Sequence, residues 1–199
     1  MADPATRLHT YAEYLLAEEG SAVKHEYYQG HLLAMAGGTV EHSLLKTNLT
    51  GLFVAALRGR PCRAFDADLR TRVEASDLTT YPDLAVICGP IARSAIDRNA
   101  LVNPTLLVEV LSPSTAVYDL GEKFRHYTAI PSLRAYLVVD SSAVGVHLYE
   151  RDGDRWTVRL FGAGDVVPIG CLEIDLAVDV VYDGWAEVVA AEAAERHAP

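Results

Sequence analysis

A chain of 199 residues that is 50% hydrophobic and 22% charged has enough apolar side chains for one buried core and is too apolar for an intrinsically disordered tail. No apolar run reaches the roughly 18 residues that span a bilayer, and residues 1–10 hold no apolar segment after basic residues, so we expect a soluble, cytoplasmic protein with no membrane partner. The net charge of −10 opposes binding to a phosphate backbone, but residues 150–199, with eleven Asp or Glu against four Arg, carry −7 of it.

Thr10 and Glu13 fit the two ends of a capping box, which starts a short helix that carries Tyr11, Tyr14 and Leu15 at helical spacing. The segment KHEYYQGHLLAMAGG predicts a hairpin turning at Gln29-Gly30 and closed by Gly37-Gly38. From Val40 to Leu57, Leu44, Leu45, Leu49, Leu52, Phe53 and Ala56 form one stripe of a core helix, which Gly59 and Pro61 end.

Three apolar strand candidates follow and are expected to form the central sheet: Cys62 to Phe65 running on into Leu69 to Val73, then Tyr81 to Cys88, then Thr105 to Leu111. A second helix is expected from Asp119, capped by Asp119 with Glu122, with Leu120, Phe124 and Tyr127 inward and Pro131 as its stop. A strand from Ala135 to Asp140 leads to a late hairpin, Val144 to Glu150 and Trp156 to Phe161, joined through Asp152-Gly153; Trp185 to His197 reads as a terminal helix. Nothing marks a domain boundary, so residues 1–199 are read as one α/β domain with a mixed sheet. Its late hairpin, at a sheet edge, predicts a homodimer.

Cys62, Cys88 and Cys171 are an odd number at wide spacing, which predicts reduced thiols and no structural metal. Arg58, Arg60, Arg63, Arg70 and Arg72 make a basic stretch that either faces a polyanion or is a solvated surface.

Glu109 is a lone carboxylate inside the apolar run Leu106 to Leu111, where an unpaired charge costs several kcal/mol. It needs a cation, an arginine or a proton. Asp83 opens its strand and Glu109 lies near the end of its own, so antiparallel pairing brings both to one end of the sheet, where a shared divalent ion would remove their repulsion. Lys123 is one of three lysines, with Lys24 and Lys46, against fourteen arginines. A desolvated lysine can give up its proton, which arginine cannot, so Lys123 is a candidate for positioning or activating water. The alternatives are a structural ion pair for Glu109, a turn cap for Asp83 and an exposed helix lysine beside Glu122.

Pro82-Asp83, then Glu109-Val110-Leu111-Ser112-Pro113-Ser114-Thr115, then Asp119, Glu122, Lys123 and Tyr127 closely resemble a bacterial family of the Uma type, labelled as restriction endonucleases. The resemblance extends over nearly the whole chain, through KHEYYQG, the AMAGG turn, His42, Asn48, Asp68 and IPSLRAYLVVD. It implies the PD-(D/E)XK superfamily: a restriction endonuclease-like α/β core, its mixed central sheet flanked by helices, with N-terminal and C-terminal hairpins. It also implies Mg²⁺ (or Mn²⁺) held by Asp83, Glu109 and the Val110 carbonyl, and Lys123 acting on the attacking water. The superfamily places its lysine two residues after the glutamate, where this chain has Leu111, so the role falls to Lys123 on the next helix. Glu26 matches a glutamate of the family and is a further catalytic candidate, or else a salt-bridge partner of Lys24 or an arginine; His42 is a phosphate or water contact, or a hydrogen-bonded helix histidine.

The resemblance implies metal-dependent hydrolysis of a nucleic acid, DNA ahead of RNA. A catalytically inactive nuclease-fold module for binding or assembly is the alternative, supported by the acidic C-terminal end. Ser112 and Ser114 suggest a serine hydrolase, but no G-x-S-x-G elbow accompanies them.

Overall fold

The computed structural model describes residues 7–35, 37–112 and 115–196, so Ala36, Pro113, Ser114 and His197 of the segments above lie outside the described residues. Helix α1 (Tyr11–Gly20) opens on the expected capping box: Thr10 Oγ1 accepts from the Glu13 N–H at 3.2 Å, and the Thr10 N–H donates to Glu13 Oε2 at 2.8 Å. Strands β1 (His25–Tyr28) and β2 (His31–Ala34) pair antiparallel about Gln29 (φ 47°) and Gly30 (φ 90°). Positive φ at both central residues is the twist-matched hairpin turn, and glycine meets it without strain. Helix α2 (Val40–Ala56) is capped by Thr39 and buries Leu45, Leu49 and Phe53.

The chain continues as β3 (Cys62–Asp66), β4 (Arg70–Val73), β5 (Leu78–Thr80), β6 (Leu84–Cys88), β7 (Ala100–Leu101) and β8 (Leu106–Leu111). A helical crossover follows, made of α3 (Ala116–Tyr118), a π-helical segment (Asp119–Lys123) and α4 (Phe124–Tyr127). Then come β9 (Ala135–Asp140), β10 (Val146–Asp152), β11 (Arg155–Phe161), β12 (Val166–Ile169), β13 (Ile174–Ala177), α5 (Val178–Val181) and α6 (Trp185–Arg196).

The strands expected in one sheet divide between two. A six-stranded sheet runs β11-β10-β9-β8-β6-β3 and a five-stranded sheet runs β2-β1-β5-β4-β7. Between β3 and β4, Asp66 Oδ1 accepts the Asp68 N–H at 3.1 Å, a local turn that sends the chain from one sheet to the other. The run from Tyr81 to Cys88 is also interrupted: Pro82 has no N–H to give a ladder, and β6 begins at Leu84. The larger sheet is mixed, since β8 and β9 run parallel across the helical crossover and the other pairs are antiparallel.

Period-two alternation in β8 distributes its residues over two cores. Leu106, Val108 and Val110 pack with α2, β12, β13 and α5, while Leu107 and Leu111 pack with Tyr127, Ile130, Leu133 and Tyr136 on the crossover side. Glu109 shares the second face.

Two further expectations are corrected. Cys62 and Cys88 are joined as a disulfide, leaving Cys171 as the free thiol, because the β3–β6 register sets Cys62 directly opposite Cys88. The basic stretch is not one surface either. Arg70 and Arg72 turn inward on β4: Arg70 grips Asp97 at 2.7 and 3.0 Å, and Arg72 bonds Thr79 at 3.0 Å and Asp77 at 2.6 Å. No helix among the described residues is long and apolar enough to cross a membrane.

Candidate active site

The crossover helix decides where its polar residues go. It begins at Ala116, so Asp119 is no N-cap: it lies within the helix, 4% exposed, with Oδ1 3.3 Å from Lys123 Nζ. Between them the helix widens into one π-type turn, a distortion that recurs at functional sites because it re-aims side chains. Lys123 is 5% exposed, and its ammonium sits 2.9 Å from Glu109 Oε1 and 3.2 Å from Glu26 Oε1. Glu122, expected as Asp119's capping partner, faces solvent beside Arg125.

Each acid is fixed by a different part of the fold. Glu109 comes from β8 and accepts the Tyr127 hydroxyl at 2.8 Å. Glu26 comes from β1, whose pairing with β5 brings the Thr80 hydroxyl onto Glu26 Oε1 and leaves the Tyr118 hydroxyl 3.4 Å from Oε2. Lys24 is not Glu26's partner; it pairs with Asp68 at 2.5 Å. Asp83 precedes β6, where Leu84 faces Val108, so it stands at the same sheet end as Glu109. Its Oδ2 accepts the Val110 N–H at 2.8 Å and lies 3.2 Å from His42 Nε2, and its Oδ1 lies 4.0 Å from Lys46 Nζ.

His42 reaches Asp83 from α2 through space that glycine provides. A Cβ on Gly38 would lie 2.7 Å from His42 Nδ1. Asn48, by contrast, has a structural role, donating to the carbonyls of Val181 and Asp183.

The electrostatics follow from this crowding. Burial pushes the Glu109 carboxyl up to about 8, with Asp119 and Asp83 adding repulsion against the opposing pull of Lys123. Burial works against charge on Lys123 as well, yet Glu109, Tyr127, Glu26 and Asp119 raise it well above the ordinary lysine range. An ammonium held by Glu109 needs Glu109 ionised, so the two directions compete. The direction for Lys123 is the firmer one, because three carboxylates within 3.3 Å retain its proton whichever of them is neutral. The acids around Lys123 therefore favour its charged form. Burial also opposes ionisation of Asp83, but the His42 hydrogen bond and charge, the Val110 N–H and Lys46 outweigh it and hold its carboxyl below the usual range.

Glu26, Glu109 and Asp119 thus meet on the Lys123 ammonium, while Asp83, bonded to His42, stands at the same sheet end as Glu109 and adds repulsion to its charge. The sequence reading missed Asp119, Thr80, Tyr118 and Gly38 as participants. The i,i+4 spacing of Asp119 and Lys123 is a local signal for the first. Nothing local points to Thr80 or Tyr118, which arrive through strand pairing and the crossover.

Residues 11–180 match the model of the Uma2 family, described as "Putative restriction endonuclease". The chain belongs to the Uma2 family. It is similar to two proteins of Synechocystis sp.: Uncharacterized protein slr1290, 40% identical over 87% of this chain and 91% of that one, and Uncharacterized protein sll1609, 36% identical over 75% and 85%. Its fold matches the crystal structure titled a "putative nuclease belonging to DUF820" from Anabaena variabilis, with a TM-score of 0.69 at 20% identity, covering 83% of this chain and 92% of that one. The restriction endonuclease-like α/β architecture expected from the resemblance is the one this Uma2 chain has.

Proposed function

We propose that this Uma2 chain is a metal-dependent nuclease of the PD-(D/E)XK type that hydrolyses phosphodiester bonds in nucleic acid, with DNA as the first substrate class to test. The observation that carries the reading is the contact of Lys123 Nζ with Glu109, beside Asp83 at the head of the neighbouring strand. It supports a lysine supplied by the following helix where Leu111 occupies the superfamily's usual position.

The donor set fits Mg²⁺ or Mn²⁺. Both contacts of Glu109 fall on Oε1 and both short contacts of Asp83 fall on Oδ2, which leaves Glu109 Oε2 and Asp83 Oδ1 for an ion. Among the described residues no three His, Cys, Asp or Glu side chains gather as a metal cage. Mg²⁺ does not need one, since it characteristically takes one or two carboxylates and completes its shell with water and substrate phosphate. The N–H and C=O of a strand residue point to the same side; the Val110 N–H meets Asp83, so its carbonyl turns to that side too and is the third candidate ligand.

When bound, the ion would supply an activated water and neutralise charge on the phosphate. The chain's own residues do the rest. Lys123 holds positive charge beside the reacting centre and aligns the water, Glu26 and Asp119 fix the lysine's rotamer, and His42 orients Asp83.

The test is calorimetric titration of Mg²⁺ and Mn²⁺ into wild type and Asp83→Ala, paired with cleavage of single-stranded DNA, double-stranded DNA and RNA at low salt. Metal binding lost in the variant, with cleavage by wild type, is the expected result. Neither binding nor cleavage would instead make this a non-catalytic nuclease-fold module, with the Lys123 cluster as a buried structural ion network.

A further inference from the structure

We propose that two copies of this chain pair through β11, antiparallel about a two-fold axis at Val158, joining their six-stranded sheets into one. Strand β11 is the terminal strand of its sheet. Its register with β10 sets Asp152 opposite Arg155 across the two-residue turn at Gly153-Asp154, with Gly153 at φ 59°. In such a hairpin the pair flanking the turn exchanges hydrogen bonds and alternate pairs do not. Arg155, Thr157, Arg159 and Phe161 therefore spend their backbone groups on β10, and Trp156, Val158 and Leu160 turn theirs outward. Arg151, opposite Trp156, shows the same alternation, since its N–H donates away from β11 to the Arg134 carbonyl at 2.9 Å.

An exposed edge of this kind is normally blunted by proline, a bulge, an inward charge or a covering element. Among the described residues strand β11 has none of these at its outward positions, and the side chains there are apolar: Val158 is 51% exposed and Leu160 68%. A two-fold at Val158 is self-complementary. Val158 meets Val158 of the second copy, Trp156 meets Leu160, and the six outward backbone groups of each copy are satisfied reciprocally. Charge agrees with this register, because Arg155 falls opposite Phe161 and Arg159 opposite Thr157, so no arginine faces another. Arg159 is in any case drawn to the opposite face by Glu150 at 2.6 Å. The other edge of the sheet, β3, is shorter at five residues, and Arg63 lies on it.

Sedimentation equilibrium over a concentration series, with amide hydrogen exchange on the same samples, tests the pairing independently of any nuclease activity. Wild type should reach twice 21.6 kDa, with the Trp156, Val158 and Leu160 amides slowing as it does. Val158→Lys places two ammonium groups on the axis and should raise the dissociation constant at least 100-fold while circular dichroism stays unchanged. A wild type that stays monomeric overturns the proposal. So does a dimer that survives Val158→Lys with these three amides still exchanging freely, which would put the interface elsewhere.

Discussion

Lys123 Nζ lies 2.9 Å from Glu109 Oε1, a contact between the helical crossover and the strand that precedes it. The same ammonium also touches Glu26 and Asp119, so it balances three acids of which one is a proposed metal ligand.

That arrangement separates the roles of the two residues. Lys123→Ala should keep metal binding and lower turnover by about 10²- to 10³-fold, the range for removing one preorganised group that stabilises charge in the transition state. Glu109→Ala should lose both metal binding and turnover. Lys123→Arg should not restore the rate, because a planar guanidinium does not fit a point among three carboxylates. Single-turnover cleavage and calorimetry on the three variants check this, and a fully active Arg variant would reduce Lys123 to a source of positive potential.

Gly38→Ala tests how Asp83 is positioned. The added methyl would stand 2.7 Å from His42 Nδ1, so the imidazole must shift, which disturbs its contact with Asp83. Expected are weaker metal binding and turnover with only about 1 kcal/mol of lost stability, in the ordinary range for a single substitution. Equal losses of activity and fold stability would show instead that Gly38 serves the helix start alone.

Asp97 contributes to acid stability away from the site. Burial raises its carboxyl, but the bidentate Arg70, the Asn99 N–H and the Tyr11 hydroxyl outweigh this and hold it below the usual range. A group with a depressed folded value stabilises fully above the unfolded value of about 3.9 and loses that contribution as pH falls through the folded one. Asp97→Asn should therefore cost about 3 kcal/mol at pH 7, as removal of one partner of a buried pair does, and flatten the fall in stability below pH 4. Urea unfolding at pH 7, 4 and 3 measures both; an unchanged acid limb would remove Asp97 from this role.

Much of the fold was legible locally. The Thr10 capping box, the Gln29-Gly30 turn and the apolar stripe of α2 depend on bonds spanning a few residues, and the structure places them where the sequence does. Glu109 stood out because a carboxylate inside an apolar strand needs a partner, and strand direction alone was enough to bring Asp83 to its end of the sheet. The partners themselves were not legible. Glu26 reaches the site because β1 pairs with β5 in a second sheet, and Asp119 because the crossover helix starts earlier than its capping pattern suggested and widens at a π turn. The inward turn of Arg70 and Arg72 and the meeting of Cys62 with Cys88 likewise depend on which strands become neighbours. Sequence determined which groups would be costly to bury alone; only the tertiary structure, by setting the strand order and the helix register, decided which groups would neutralise them.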